Sequence, residues 1–221
     1  MPDRSPYKGL VVDFGGVLTT HLGDAFRAFC EREGVDYERV RAKLREAYGE
    51  SDPESLVARF ETGRIEREDF ERELAAGLSE GLHRPIDASD LIRRMMTDVR
   101  LDDAMVAAAR EARRRGVRTA LLSNSWGVEY YPHDLLAELF DEVVISGQVG
   151  LRKPDPQVFR LAAERLGLEP NECLFVDDVR GNIEAGERVG MRGVLHENTS
   201  RTVAELERLL GLPLSEVVDT L

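Results

Sequence analysis

Cysteine is scarce in this chain of 221 residues, which contains only Cys30 and Cys173. Two cysteines cannot build the disulfide framework of a small secreted domain, so we expect both to be buried thiols. No apolar run approaches the roughly 20 residues that a membrane-spanning helix needs, and the N-terminal MPDRSPYKG lacks the apolar stretch of a secretory signal. These absences predict a cytoplasmic protein with no membrane partner.

Positive charge is also in short supply. The chain has 30 Lys and Arg residues against 42 Asp and Glu residues, a formal net charge of −12. A protein that tracks the phosphates of nucleic acid usually has the opposite balance, so we expect no nucleic-acid partner. Lysine occurs only at Lys8, Lys43 and Lys153. Because arginine is the usual cation of this sequence, the choice of lysine at position 153 is noticeable.

The order of apolar segments predicts the fold class. Residues 10–13 have the pattern of a buried strand, and strand-like and helix-like segments alternate after residue 100. The expected strands are VRTALLSNS, EVVISG, ECLFVDD and RGVLH, and the expected helices are 102–115, DPQVFRLAAERLG, NIEAGERVG and 201–210. This alternation predicts an α/β fold with a Rossmann-like parallel sheet and helices on both of its faces.

Residues 22–96 interrupt that alternation, because their apolar residues have helical spacing and include no convincing strand. A helical block placed directly after the first strand has the position of an insertion seated over the strand ends. We therefore predict a core formed by residues 1–20 and 97–221, with a helical cap at residues 21–96. The oligomeric state is not predictable from this pattern.

Polar side chains follow four of the predicted segments. They are Asp13, Ser123 with Asn124, Lys153, and Asp177 with Asp178. Ligands of open α/β sheets bind at the carboxyl ends of the strands, so these side chains are expected to meet there. The adjacent carboxylates of Asp177 and Asp178 would repel each other unless a cation or water lies between them.

Four sequence segments occur in the order of the motifs of the haloacid dehalogenase superfamily. The segments VVDFGGVL, LLSNS, LRKP and LFVDDVRGN resemble those motifs, and FETGRIEREDF resembles the usual phrase of that superfamily's type-one helical cap. The resemblance extends throughout the chain. It implies a hydrolase, phosphatase-like, that acts on a small phosphorylated metabolite, with sugar phosphates the favoured class.

The resemblance assigns roles that suit the chemistry of phosphoryl transfer. Asp13 would be the nucleophile and would form an aspartyl-phosphate. Ser123 and Asn124 would bind phosphoryl oxygens, and Lys153 would bridge the nucleophile and the phosphate as a point charge.

The resemblance also implies a Mg²⁺ site. Asp13 and Asp178 would bind the ion directly, together with the backbone carbonyl of Gly15, and Asp177 would reach it through water. Oxygen ligands and retained waters suit Mg²⁺. A glycine carries the required carbonyl, so Gly15 is compatible with this site.

The side chain missing at Gly15 is the main departure from the superfamily's phosphatases. They have at this position an aspartate that protonates the leaving oxygen and then activates water, a contribution of about 10²–10⁴ in rate. His21 is one candidate for a substitute acid, and polar surface is its alternative role. Trp126 could stack on a substrate or could simply be packed.

Two other functions fit this departure. The chain could be a catalytically weak member of the superfamily that serves as a binding or regulatory protein. It could also be a metal-independent hydrolytic dehalogenase of 2-haloacids, since those enzymes also lack the second aspartate. They have a tyrosine at this position and serines in place of the acidic pair, so Asp177 and Asp178 disfavour this alternative.

Overall fold

The computed structural model describes residues 5–49 and 52–214 and contains a five-stranded, wholly parallel sheet. The strands are β1 (Gly9–Val12), β2 (Arg118–Ser123), β3 (Glu142–Ile145), β4 (Cys173–Asp177) and β5 (Arg192–Leu195). Their order in the sheet is β3-β2-β1-β4-β5, so β1 is central and pairs with β2 and β4. Because all strands run the same way, their carboxyl ends share one edge of the sheet.

Eleven α-helices accompany the sheet within the described residues. They are α1 (Leu22–Glu33), α2 (Tyr37–Tyr48), α3 (Leu56–Glu61), α4 (Arg67–Ser79), α5 (Leu91–Met95), α6 (Asp103–Arg114), α7 (His133–Leu139), α8 (Ser146–Val149), α9 (Pro156–Arg165), α10 (Arg180–Arg188) and α11 (Thr199–Leu210). None of these helices combines the length and apolar content that crossing a membrane requires.

Alternation along the strands determines which helices cover each face of the sheet. Leu10 and Val12 of β1 pack in a cluster with residues of α6, α7 and α11, whereas Val11 packs in a cluster with residues of α9 and α10. Successive strand residues point to opposite faces, and here both faces are covered by helices. The predicted α/β fold with helices on both faces is confirmed.

Helices α1 to α5 form a layer with its own apolar cluster. Phe29 and Phe70 are fully buried there, and Phe60 stacks on Phe70 with ring centroids 4.0 Å apart. Trp126, from the loop after β2, joins the same cluster. The indole therefore anchors the helical layer to the sheet-bearing part of the chain.

The two connections between this layer and the sheet lie side by side. Thr19 and Leu101 form an antiparallel bridge, the amide of Thr20 donates to the carbonyl of Arg100 at 2.8 Å, and the amide of Arg100 donates to Thr20 Oγ1 at 3.1 Å. These bonds fix the entry and exit of the insertion together. The division of the chain at residues 20/21 and 96/97 stays a prediction, and residues 1–4, 50–51 and 215–221 of those ranges lie outside the described residues.

Several element ends differ from the sequence-based expectation. The segment EVVISG is a strand only to Ile145, because Ser146 begins α8 and donates its hydroxyl to the carbonyl of Glu61 in the helical layer. The first strand ends at Val12 instead of Asp13, although the amide of Asp13 still donates to Val176 at 3.0 Å. Both cysteines are buried free thiols, as predicted.

Candidate functional site

The polar residues singled out by the sequence meet at the carboxyl edge of the sheet. Asp13 follows the central strand β1, Ser123 ends the neighbouring strand β2, and Asp177 ends β4 on the other side. A cavity of about 970 Å³, called here the catalytic cavity, opens over this edge and is also lined by Lys153 and Asp178. The expected gathering of these side chains therefore occurs.

Lys153 lies between two carboxylates in the interior. Its side chain is 1% exposed, and its Nζ lies 2.8 Å from Asp13 Oδ1 and 2.7 Å from Asp177 Oδ2. Burial alone would lower the pKa of this ammonium group, but the two carboxylates outweigh burial and hold its pKa above the ordinary value. Lys153 therefore carries a permanent positive charge beside the predicted nucleophile.

Asp177 is engaged on both of its oxygens. Besides the Lys153 ammonium group, it accepts hydrogen bonds from the amide of Val179 at 2.8 Å and from the side-chain amide of Asn182 at 3.1 Å. The carboxylate is fully buried. Its donors leave little room for direct coordination of an ion, so the geometry is compatible with the expected water-mediated role and adds the orientation of Lys153.

Three carboxylates crowd together at this edge. Oxygens of Asp13, Asp177 and Asp178 lie within 4.8 Å of one another. Burial raises the pKa of Asp13 to about 7 against the attraction of Lys153, and repulsion from Asp177 adds to the rise. Burial, followed by the same repulsion, raises the pKa of Asp178. A divalent cation would relieve both effects, and a set of oxygen donors suits Mg²⁺.

The glycine pair after Asp13 contains two different constraints. Gly16 has a φ of 76°, and a Cβ at that position would overlap the carboxylate of Asp178. Gly15 is not in the left-handed region, and its Cβ would meet only Leu22, at 3.1 Å from Cδ1. Gly16 is thus required by the backbone and by the acidic cluster, whereas the space beside Gly15 is filled by an apolar side chain.

Ser123 has a partner that the sequence did not indicate. Its Oγ lies 2.8 Å from the hydroxyl of Tyr131, and both side chains are buried. If the tyrosine hydroxyl donates this bond, the serine proton is free to bind a phosphoryl oxygen. Burial raises the pKa of Tyr131, which keeps its hydroxyl protonated and able to donate.

Asn124 joins the end of β2 to the loop that carries Lys153. Its Oδ1 accepts from the amide of Lys153 at 2.8 Å, and its Nδ2 donates to the carbonyl of Lys153 and to Glu61 Oε2, both at 3.0 Å. The side-chain amide is therefore engaged within the protein and positions Lys153. The predicted role of Asn124 in phosphate binding stays a prediction.

Glu61 is a site residue that sequence reasoning missed. It ends α3, is 2% exposed, and lies with its Oε2 2.8 Å from Nε of Arg152, the neighbour of Lys153. Burial raises the pKa of Glu61 to about 7, against the attraction of Arg152. The only available signal was its place in the cap phrase FETGRIEREDF, since helical spacing cannot show that a residue reaches across to the sheet.

His21 and Trp126 both line the catalytic cavity. His21 caps α1, its Nδ1 accepts from the amide of Gly23 at 3.0 Å, and its Nε2 lies 3.9 Å from Asp178 Oδ2, beyond hydrogen-bond distance. Trp126 donates its Nε1 proton to the hydroxyl of Tyr48 at 3.2 Å. The indole is thus held by packing and by this bond, and the role of His21 as an acid stays a prediction.

Comparison with known proteins gives a consistent family. The model of the haloacid dehalogenase-like hydrolases matches residues 7–190. Acyl-CoA dehydrogenase family member 10 of Mus musculus is 31% identical over 215 residues, which cover 94% of this chain and 20% of that protein. Phosphoserine phosphatase of Thermus thermophilus is 34% identical over 164 residues, covering 67% of this chain and 65% of that enzyme. The chain thus corresponds to a fifth of the first relative's length and to less than two thirds of the second's.

A solved structure shares the fold. It is a HAD family enzyme from Bacteroides thetaiotaomicron in complex with magnesium and inorganic phosphate, superposed with a TM-score of 0.60 at 18% identity, over 86% of this chain and 94% of that one. At this identity the likeness concerns the fold alone.

The two glycines provide a matched pair of substitutions. Gly16→Ala introduces a side chain at positive φ and against Asp178, so we expect it to weaken Mg²⁺ binding by about tenfold or more and to destabilise the protein by about 1–2 kcal/mol. Gly15→Ala requires only a small shift of Leu22 and should have a clearly smaller effect on both. Calorimetric Mg²⁺ titration and thermal unfolding measure the two effects. Equal results for the two variants would contradict this account of the turn.

The contact of Glu61 with Arg152 and Asn124 is testable by stability. Glu61→Ala leaves the largely buried Arg152 guanidinium without its ion-pair partner and the Asn124 amide without one of its acceptors, so the free energy of unfolding should fall by about 3 kcal/mol. Glu61→Gln retains an acceptor for Asn124 and should cost less. Glu73 pairs with Arg59 on the surface, at 50% side-chain exposure, so Glu73→Ala should cost at most about 1 kcal/mol. Urea unfolding compares the three, and a cost for Glu61→Ala no greater than the cost for Glu73→Ala would refute the assignment.

Proposed function

The chain belongs to the haloacid dehalogenase-like hydrolases, and on that premise we propose that it is a Mg²⁺-dependent phosphatase that hydrolyses a small phosphomonoester. The observation that carries the proposal is the buried arrangement of Asp13, Lys153 and the acidic pair at the carboxyl edge of the sheet. A nucleophile, a fixed cation beside it and a set of oxygen donors are the components that phosphoryl transfer needs.

In this proposal Asp13 attacks phosphorus through a carboxylate oxygen. The new bond joins that oxygen to phosphorus, and the bond from phosphorus to the ester oxygen breaks with its electron pair on the leaving oxygen, which then takes a proton from water. Water then attacks the aspartyl-phosphate, which releases phosphate and restores the carboxylate. Lys153 neutralises charge on the phosphoryl oxygens, and the Ser123 hydroxyl donates a hydrogen bond to one of them.

Asp13, Asp178 and the carbonyl of Gly15 would hold Mg²⁺, with Asp177 behind them. When bound, the ion would neutralise the carboxylates and the phosphate so that the two anionic groups can approach. The crowding of the three carboxylates and the raised pKa values of Asp13 and Asp178 support this assignment. The magnesium and phosphate in the related Bacteroides structure support it as well.

Other functions are less well supported by this set of residues. A metal-independent dehalogenase does not need the acidic cluster, which is costly without a cation. A catalytically weak binding protein remains the alternative, because Leu22 occupies the space next to Gly15 where the general acid would lie. Turnover of phosphomonoesters with Mg²⁺ separates a phosphatase from both. The sugar phosphate favoured by the sequence stays a prediction about the substrate.

Replacement of the proposed nucleophile is the direct test. Asp13→Asn keeps the size of the side chain but gives an amide that neither attacks phosphorus nor binds the ion well, so phosphate release should fall by about 10³-fold or more. Asp24→Asn, at an exposed position in the first turn of α1, is the control and should retain activity. EDTA should abolish wild-type activity and Mg²⁺ should restore it. Undiminished release by Asp13→Asn would refute the mechanism.

The missing acid at Gly15 predicts a steep dependence on the leaving group. If the alcohol leaves with little protonation, aryl and acyl phosphates should react faster than alkyl phosphates, by about 10²–10⁴. Gly15→Asp should flatten this dependence, because the backbone there is not left-handed and the atoms nearest to an added Cβ belong to the end of the Leu22 side chain, which must move aside for the carboxylate. His21→Ala should steepen the dependence only if His21 acts as the acid. Rates for phosphate esters of graded leaving-group pKa measure the slope, and a shallow slope in all three proteins would show that another residue protonates the leaving group.

A further inference from the structure

A second cavity adjoins the catalytic cavity and differs from it in character. It has a volume of about 440 Å³, within the range of about 300–1,000 Å³ that is usual for small-molecule sites. We call it the apolar cavity, because its walls are formed mainly by Phe14, Leu22, Met96, Val99, Leu101 and Tyr131. The two cavities share Gly15, Leu22, Ser123, Asn124 and Trp126 in their walls. A ligand held at Asp13 therefore lies next to the apolar cavity.

The absence of a side chain at Gly15 shapes this boundary. Gly15 lines both the catalytic cavity and the apolar cavity, and so does Leu22. A methyl carbon of Leu22 is the atom nearest to the place that a Cβ of residue 15 would take. An aspartate at position 15 would place a carboxylate between the nucleophile and the apolar cavity. With glycine at this position, the hydrocarbon of Leu22 lies at this part of the shared wall.

Most polar groups in the inner wall of the apolar cavity are already bonded within the protein, and the Ser123 proton that is left is the one assigned to the phosphate. Tyr131 and Ser123 bond to each other, Trp126 donates to Tyr48, and the Asn124 amide bonds to the Lys153 backbone and Glu61. A sugar is recognised by several converging donors and acceptors. This wall offers few of them to a ligand.

The polar groups nearer the rim have partners too. The Thr19 hydroxyl accepts from Gly16 and donates to the Thr20 carbonyl. Arg93 is exposed and forms an ion pair with Asp90. Arg100 donates hydrogen bonds to the backbone carbonyls of Thr97 and Val99. Both arginines line the cavity but are exposed to solvent, and their guanidinium groups already have partners within the protein.

The mouth of the apolar cavity exposes hydrocarbon to water. Leu101 is 41% exposed and Tyr130 is 36% exposed, and both line the cavity. They are two of the three large apolar residues that are exposed among the described residues. Exposed apolar surface next to a polar site commonly marks a binding surface.

We infer that the apolar cavity binds the hydrocarbon part of the substrate, so that the chain acts on the phosphomonoester of an apolar alcohol or phenol. This inference rests on the proposed phosphatase function for the position of the phosphate. It departs from the sugar phosphate favoured by the sequence. It agrees with the missing acid at Gly15, since an apolar phenol combines hydrocarbon with an oxygen that leaves without protonation.

Binding is tested separately from turnover with a series of n-alkylphosphonates, from butyl to decyl, titrated by calorimetry in saturating Mg²⁺. These compounds have no leaving group, so their affinity reports only the cavity. The dissociation constant should fall by about threefold for each added methylene until the cavity is filled. A constant that does not change with chain length would overturn the inference, even if the protein is an active phosphatase.

Turnover is tested with para-alkylphenyl phosphates of increasing chain length, because their leaving groups have nearly the same acidity. Their kcat/KM should rise with chain length and should fall again when the longest chain ends in a hydroxyl group. Higher kcat/KM for sugar phosphates than for every member of the series would overturn the inference. Phosphonate affinity that rises with chain length, without hydrolysis of any ester, would support the cavity and refute the phosphatase.

A pair of variants distinguishes the apolar cavity from unspecific adsorption. Leu101→Gln replaces hydrocarbon at the mouth and should reduce the ratio of decyl to butyl phosphonate affinity at least about threefold. Ala204→Gln places the same side chain on an exposed position of α11, outside both cavities, and should leave the ratio unchanged. Equal ratios in the two variants would show that the alkyl chain binds elsewhere and would overturn the inference.

Discussion

The site depends on the ion pairs that the buried Lys153 ammonium group forms with two carboxylates. The ammonium group lies 2.8 Å from Asp13, which follows β1, and 2.7 Å from Asp177, which ends the neighbouring strand β4. The two carboxylates would repel each other without it. Because all three groups are buried, removing the ammonium group would leave two carboxylates in the interior without their counter-charge. This ion-pair network therefore couples the carboxyl ends of β1 and β4 to the loop before α9.

The helical layer extends this network instead of merely covering it. Glu61 reaches from α3 to Arg152 and Asn124, and Asn124 in turn bonds to both backbone polar groups of Lys153. A displacement of the helical layer would therefore move Lys153 as well, through the contacts of Glu61 and Asn124. Trp126 provides a second link to the same layer, because the loop after β2 inserts its indole into the apolar cluster of that layer. The helical layer and the carboxyl edge of the sheet are thus joined by both polar and apolar contacts.

The part of this site that the sequence predicts is the part fixed by topology. A parallel sheet gathers the carboxyl ends of its strands, so polar residues after apolar runs identify Asp13, Ser123 and Asp177 without knowledge of the contacts. Glu61 and Tyr131 could not be found in this way. Their roles depend on how α3 and the loop after β2 pack on the sheet, and helical spacing alone does not specify which neighbour a side chain meets. The apolar cavity could not be predicted for the same reason, because its walls come from three separate stretches of the chain, residues 14–22, 93–101 and 123–132.

Gly15 connects the chemistry of the site with the character of its cavities. An aspartate there would supply a proton to the leaving oxygen, but its carboxylate would have to be solvated or hydrogen-bonded beside Leu22 and Phe14. Such a group is costly beside hydrocarbon unless it is hydrogen-bonded or solvated, so an acid at this point would weaken the binding of an apolar chain there. The loss of the acid is compatible with catalysis when the bound alcohol is itself a good leaving group. On this view, the glycine removes the acid that would protonate the leaving oxygen and keeps the wall apolar, which suits a substrate with a hydrocarbon part.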